Sequence, residues 1–134
     1  MKQPYIYLGT PYSFKSKSKE IGANKPDTSE MDKKVRIERF EKVSEVAAKL
    51  FNSGFWVFSP VSMSHPIAQY MKGHDTFEVW EAFDYFMLSQ CDMMFVLCVD
   101  GWKISNGLQK EITFARQNGI PVIYIDENLT IREA

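Results

Sequence analysis

The chain alternates between short apolar runs and longer segments in which apolar residues recur every three or four positions. Tyr5-Ile6-Tyr7-Leu8, closed by Gly9 and Pro11, predicts a first strand. From Asp32 the period changes. Ile37, Phe40, Val43, Ala47, Leu50 and Phe51 recur at helical spacing while Lys33, Lys34, Glu38, Glu41, Lys42 and Glu45 fill the opposite face, which predicts an amphipathic helix closing near Gly54. Phe55-Trp56-Val57-Phe58 predicts a second strand, stopped by Ser59-Pro60, with a polar, proline-containing loop running to about Asp75. Phe77, Trp80, Met87 and Leu88 share one side of a second predicted helix. Met93 to Val99 is apolar throughout, as in a parallel strand covered on both faces. Asn106-Gly107 opens a third helix carrying Leu108, Ile112 and Ala115; it ends at Asn118-Gly119, and Ile120 to Ile125 predicts the fourth strand.

Strands and helices in strict alternation predict an α/β protein: one domain over residues 1–134, with a Rossmann-like (flavodoxin-like) parallel sheet, right-handed crossovers and flanking helices. Ligands of such sheets bind outside the carboxyl ends of the strands. Here those ends carry Gly9 to Ser13, Ser59 to His65, Asp100 to Gly107, and Asp126. A small-molecule site is expected there, because the small, polar and Gly/Pro-rich residues gather at the same places. The connection from Phe14 to Glu30 is long for a compact domain. It reads as a mobile loop at 14–30 without a role in the site, or as a lid whose Lys15, Lys17, Lys19 and Lys25 close over an anion.

Composition narrows the classes. With 134 residues, 45% hydrophobic and 25% charged, the chain has the length and balance of one globular domain. Its longest apolar run, Met93 to Val99, falls far short of the ~20 residues of a membrane span, so no membrane partner is expected. No basic segment followed by an apolar one opens the sequence, which points to a cytoplasmic protein. Sixteen Lys+Arg against seventeen Asp+Glu give a net charge of -1, which argues against a nucleic-acid partner. Cys91 and Cys98, in and beside an apolar run, read as buried reduced thiols. His65, His74 and Asp75 match no familiar ligand spacing, so neither a metal nor another cofactor is implied.

Two carboxylates stand on the wrong faces. Asp84 lies four residues after Trp80 and four before Leu88, and Glu111 lies three after Leu108 and four before Ala115, so both project from apolar stripes. Burying an unpaired carboxylate costs several kcal/mol or drives its pKa upward. Either the two form an acid and nucleophile pair, or each caps a loop or pairs with Arg36, Arg39 or Arg116. Asp100 to Gly107 is neither a Walker loop nor a dinucleotide fingerprint. It is a strand-to-helix turn whose glycine and serine also suit an anion at a helix N-terminus. Trp102 within it is either a stacking surface for a base or a loop anchor, and His65 is a candidate lining residue of the cleft.

Tyr7-Leu8-Gly9-Thr10-Pro11-Tyr12, the inward Asp84 and the element Ser105-x-Gly107-x-x-x-Glu111 together resemble the nucleoside 2-deoxyribosyltransferase-like superfamily, over most of the chain. Within it the chain is most similar to small bacterial and phage members with no assigned activity. The resemblance implies that Glu111 is the nucleophile that attacks the anomeric carbon, that Asp84 protonates the departing base, and that Tyr7 orients the nucleophile. Together with the strand ends above, it gives a candidate substrate-binding set of Gly9, Thr10, Pro11, Ser59, His65, Asp100, Trp102, Ser105, Asn106 and Gly107. In deoxyribosyltransferases acting on free nucleosides an aspartate stands where this chain has Ser105; the 5'-monophosphate N-glycosidases have serine there. The implied activity is therefore cleavage of the N-glycosidic bond of a ribo- or deoxyribonucleoside 5'-monophosphate, by hydrolysis or base transfer. The alternatives are a nucleoside 2-deoxyribosyltransferase and a non-catalytic nucleotide-binding module. Gly9-Thr10-Pro11, where many members have Ala-Gly-Pro, and the 14–30 insertion depart from the pattern. The resemblance also implies a homo-oligomer, a dimer or tetramer, in which a loop or tail of a neighbouring subunit completes the site, with the Asp126 to Ala134 tail as a candidate for that part.

Overall fold

The apolar run Tyr5–Gly9 is strand β1. Helix α1 (Ser29–Asn52), strand β2 (Trp56–Phe58), helix α2 (Pro60–Ala68) and helix α3 (Phe77–Ser89) follow, then strand β3 (Met93–Leu97) and a 3-10 turn (Trp102–Ile104). Helix α4 (Asn106–Gln117) and strands β4 (Val122–Ile125) and β5 (Ile131–Arg132) complete the chain. The computed structural model describes residues 3–13, 29–71 and 77–134. The expected loop therefore lies outside the described residues up to position 28, as do His74 and Asp75.

The strands form one sheet in the order β2-β1-β3-β4-β5, with β1 to β4 parallel and β5 antiparallel to β4. From β1 the chain crosses to one side to make β2 and returns to the other to make β3. The β1/β3 boundary, where Gly9 pairs with Val96, is thus the switch point at which such sheets leave a crevice.

Period-2 alternation along β1 decides what reaches that crevice. Ile6 and Leu8 turn to the layer of Val43, Val46 and Leu50 on α1, together with Val61 of α2. Tyr7 turns the other way, against Leu88 of α3 and Leu108, Ile112 and Ala115 of α4. Each fully buried aliphatic side chain in these two layers contributes about 1.5–3 kcal/mol. They hold α1 on one face and α3 and α4 on the other.

Three local readings are corrected. Residues 60–68, expected as loop, form α2. Ser59 is extended, Pro60 has the φ of a first helical position, and Val61 is buried, while Ser62, Ser64 and His65 give the segment its polar look. A hydroxyl chain, Ser59 to Ser62 to Ser44 with 2.7 Å at each step, ties α2 to α1. Helix α1 starts at Ser29 rather than Asp32. Beyond β4 the chain turns back: Asp126 Oδ1 accepts from the Asn128 and Thr130 amides, Leu129 takes a left-handed conformation (φ 66°), and Ile131–Arg132 pairs with β4. Arg132 then donates to the Cys98 carbonyl. Residues 131–132 thus add a fifth, antiparallel strand to the chain's own sheet. Neither cysteine is in a disulfide. Among the described residues no helix is long and apolar enough to cross a membrane.

Candidate active site

A cavity of about 610 Å3 opens at the switch point. Its walls come from five stretches of chain: Thr10, Tyr12 and Ser13 after β1, Arg36 and Arg39 on α1, one side of α2, Trp80, Glu81, Asp84 and Tyr85 on α3, and Asp100, Gly101, Ile104 to Leu108 and Glu111.

Glu111 enters it from the inward stripe of α4, between the buried Leu108 and Ala115. The last residue of β1 passes directly beneath. A Cβ on Gly9 would lie 2.7 Å from Met94 Cε and 2.9 Å from Leu108 Cδ1, and 3.6 Å from Glu111 Oε1. Only glycine fits such an approach without moving its neighbours. Tyr7, fully buried against Phe58, lies under the same carboxylate.

Electrostatics set this group apart from a solvated acid. Burial, then the charge of Asp84, holds the Glu111 carboxyl well above the usual carboxylate range, and Tyr7 pulls the other way. Burial alone pushes Asp84 up to about 7. Burial and the two carboxylates hold the Tyr7 phenol far above its ordinary value. Among the described residues the Tyr7 hydroxyl and Asp84 Oδ1 have no hydrogen-bond partner, and neither has the buried Thr10 hydroxyl. Tyr7 is therefore close enough to Glu111 to favour its charged form without a hydrogen bond of ordinary geometry having closed.

The bland alternative for the two acids, pairing with arginine, does not hold among the described residues. Arg36 Nε pairs with Asp32 at 3.0 Å and its guanidinium covers the Tyr12 ring. Arg39 donates to the carbonyls of Ser13 and Asp100, 2.9 Å each. Arg116 donates to the Tyr124 hydroxyl. Among the described residues Glu81 pairs with Lys110 at 3.7 Å, whereas Asp84 and Glu111 have no ion-pair partner.

The stretch after β3 turns sharply at Gly101 (φ 89°), where a Cβ would meet Arg39 Nη2 at 2.7 Å. Ser105 caps α4, its Oγ accepting from the Leu108 amide at 3.4 Å. Its hydroxyl proton remains to be donated. No acid occupies the first turn of α4, so the amides of Asn106 and Gly107 leave a positive helix end open to the cavity.

The structure thus brings Glu111, Asp84, Thr10, Asp100, Ser105, Asn106 and Gly107 to one cavity, with Tyr7 and Gly9 beneath its floor. Four expected contacts stand elsewhere. Pro11 is buried beside the wall without lining it. Ser59 spends its hydroxyl on Ser62. His65 stacks on Phe40 (4.4 Å) and bonds through Nδ1 to the Tyr12 hydroxyl, and burial with Arg36 nearby lowers its pKa. It supports the Tyr12 wall from behind. Trp102 is a loop anchor, buried against Tyr124 at 5.2 Å. Missed from sequence were Arg36, Arg39, Tyr12, Trp80 and Tyr85. Arg36 and Arg39 flank Ile37 and Phe40 one turn apart, a signal indistinguishable from a solvated helix edge.

Fold and site together define a small single-domain α/β protein with a carboxylate-lined pocket at the sheet's switch point. The model of the family described as "Domain of unknown function (DUF1937)" matches residues 4–127, and the chain belongs to that family. No curated protein matches the chain.

Proposed function

We propose that this protein cleaves the N-glycosidic bond of a nucleoside 5'-monophosphate through a covalent glycosyl intermediate on Glu111, as the superfamily it resembles would imply. One observation carries the reading. Two partly buried carboxylates, Glu111 and Asp84, face a single cavity without a cation for either among the described residues, and both have raised proton affinity.

A pair of this kind shares protons near neutral pH, and the chemistry uses the form in which Asp84 holds the proton and Glu111 is ionised. The Glu111 carboxylate attacks C1' of the sugar. The C1'–N bond breaks, its electron pair leaves with the base nitrogen, and the Asp84 carboxyl supplies the proton that makes the base a tolerable leaving group. Water then attacks C1' and passes its proton to Asp84, and the C1'–O bond to Glu111 breaks. This is the two-step logic of retaining glycosidases. Tyr7, beneath Glu111, offsets part of the rise and so favours the carboxylate form of the nucleophile. The α4 N-terminus and the Ser105 hydroxyl suit a phosphate at the 5' end, since neither carries negative charge.

Incubation with a panel of ribo- and deoxyribonucleoside 5'-monophosphates, with free base followed by chromatography, tests the reading. Release of base from at least one of them is the expected result, and release from none overturns it.

A further inference from the structure

The cavity is electrically two-ended. Asp84 and Glu111 lie at the α3 and α4 wall, while Arg36 and Arg39 reach it from α1. The exit of β1 runs from one end to the other: Gly9 lies under the Glu111 carboxylate, Thr10 follows, and the Ser13 carbonyl meets Arg39. Arg39 also bonds the Asp100 carbonyl, so its guanidinium sits where the stretches after β1 and β3 converge, on the way to Ser105. Helix-edge arginines ordinarily reach into solvent, as Arg36 does in part, with its side chain 43% exposed. Burial here disfavours the charge of Arg39, and Asp32 and Asp100 restore part of it. Asp32 takes Arg36 Nε, and a guanidinium has four further N–H donors.

A second observation points to a ligand between the two ends. Thr10 is 7% exposed and its hydroxyl has no partner among the described residues, yet the residue lines the cavity. A buried hydroxyl without a partner costs about 1–3 kcal/mol, a cost that a bound acceptor would remove.

We infer that Arg36 and Arg39 bind the anionic end of the substrate, and that the Thr10 hydroxyl donates to the sugar lying between this end and Glu111. The two arginines are then the specificity-determining residues for a phosphorylated sugar. Forked guanidinium donors match phosphate oxygens two at a time, and Ser105 with the α4 N-terminus closes the other side. The inference rests on the N-glycosidase reading for the sugar but not for the anion.

The test is binding of ribose 5-phosphate, with ribose as the uncharged control, to wild type, Arg36→Gln and Arg39→Lys, each melted to verify folding. Ribose 5-phosphate should bind wild type and weaken with salt. Each substitution should lower that affinity about tenfold or more and leave the response to ribose unchanged, whereas a merely structural role would weaken both. Failure of wild type to bind ribose 5-phosphate, or equal affinity in wild type and both variants, overturns the inference. Arginine-dependent binding by a protein that releases no base keeps this inference and defeats the glycosidase reading. Base release by a protein whose ribose 5-phosphate affinity ignores both arginines does the reverse.

Discussion

Asp84 on α3 and Glu111 on α4 face one cavity from different helices, and the charge of Asp84 raises the proton affinity of Glu111 beyond what burial already does. That coupling makes stability depend on pH in a defined direction. The unfolded chain ionises both groups near pH 4, whereas the folded protein keeps a proton on Asp84 to about 7 and holds Glu111 in the same direction. Between those values the native state binds more protons than the unfolded one. The contribution is therefore fully present below about pH 4 and is lost as pH rises towards 7, by up to about 4 kcal/mol for Asp84. Melting temperatures of wild type and Asp84→Asn across pH 5 to 8 should diverge, with the variant more stable at the alkaline end. Parallel curves would contradict a buried ionisable Asp84.

Glu111→Gln keeps the shape of the side chain and removes the anion that attacks C1'. Base release should fall by on the order of 10^3 or more, with nucleotide affinity within a few-fold of wild type. Wild-type turnover in the variant would remove the covalent route.

Asp84→Asn tests the acid separately. Bases that leave poorly need the proton most, so the loss should be about 10^2–10^4 for them and much smaller for activated bases. In wild type, kcat/KM should decline as pH passes about 7, where Asp84 gives up its proton. An equal loss across leaving groups would assign Asp84 a structural task.

Ser105→Asp separates capping from charge. Aspartate caps helices as well as serine does, so α4 should keep its stability. Its carboxylate would nevertheless face the phosphate. The preference for a nucleoside 5'-monophosphate over its nucleoside, expected at about tenfold or more in wild type, should flatten or reverse. Competition kinetics with the two substrates measures it directly.

Gly9→Ala examines the floor. The added methyl meets Met94 Cε at 2.7 Å and Leu108 Cδ1 at 2.9 Å. Both are side-chain ends that can move, so the protein should fold with a loss of about 1–3 kcal/mol. The shift of Leu108 should tilt Glu111 one turn along and reduce turnover more than affinity. A variant with unchanged turnover would show that Glu111 tolerates a displaced floor.

Much of this was legible in the chain alone. Apolar runs of four to seven residues marked β1 to β4, because parallel strands covered on both faces can hold little else. Positions three and four from buried leucines placed Asp84 and Glu111 inward, because helical geometry leaves a residue there no other direction. Strict alternation implied the parallel sheet, and with it the end at which a ligand would sit. Helix α2 and strand β5 were not legible. In the nine-residue α2 the serines, prolines and histidine interrupt Val61, Met63, Ile67 and Ala68, which leaves too little apolar period to stand out, and the two exposed residues of β5 have none.

The cavity itself was decided by tertiary structure. Periodicity reports which face of one element is covered, and is silent about which neighbour covers it. Arg36 and Arg39 belong to a polar helix edge by period, yet Tyr12 meets Arg36, and Ser13 and Asp100 hold Arg39, which converts that edge into a wall. His65 and Trp102 have the chemistry of ligand contacts, but Phe40, Tyr12 and Tyr124 claim their rings first. Sequence determined which residues must leave water, because that depends on spacing within one element. Only the packing of separate elements determined which polar groups were left facing each other without partners.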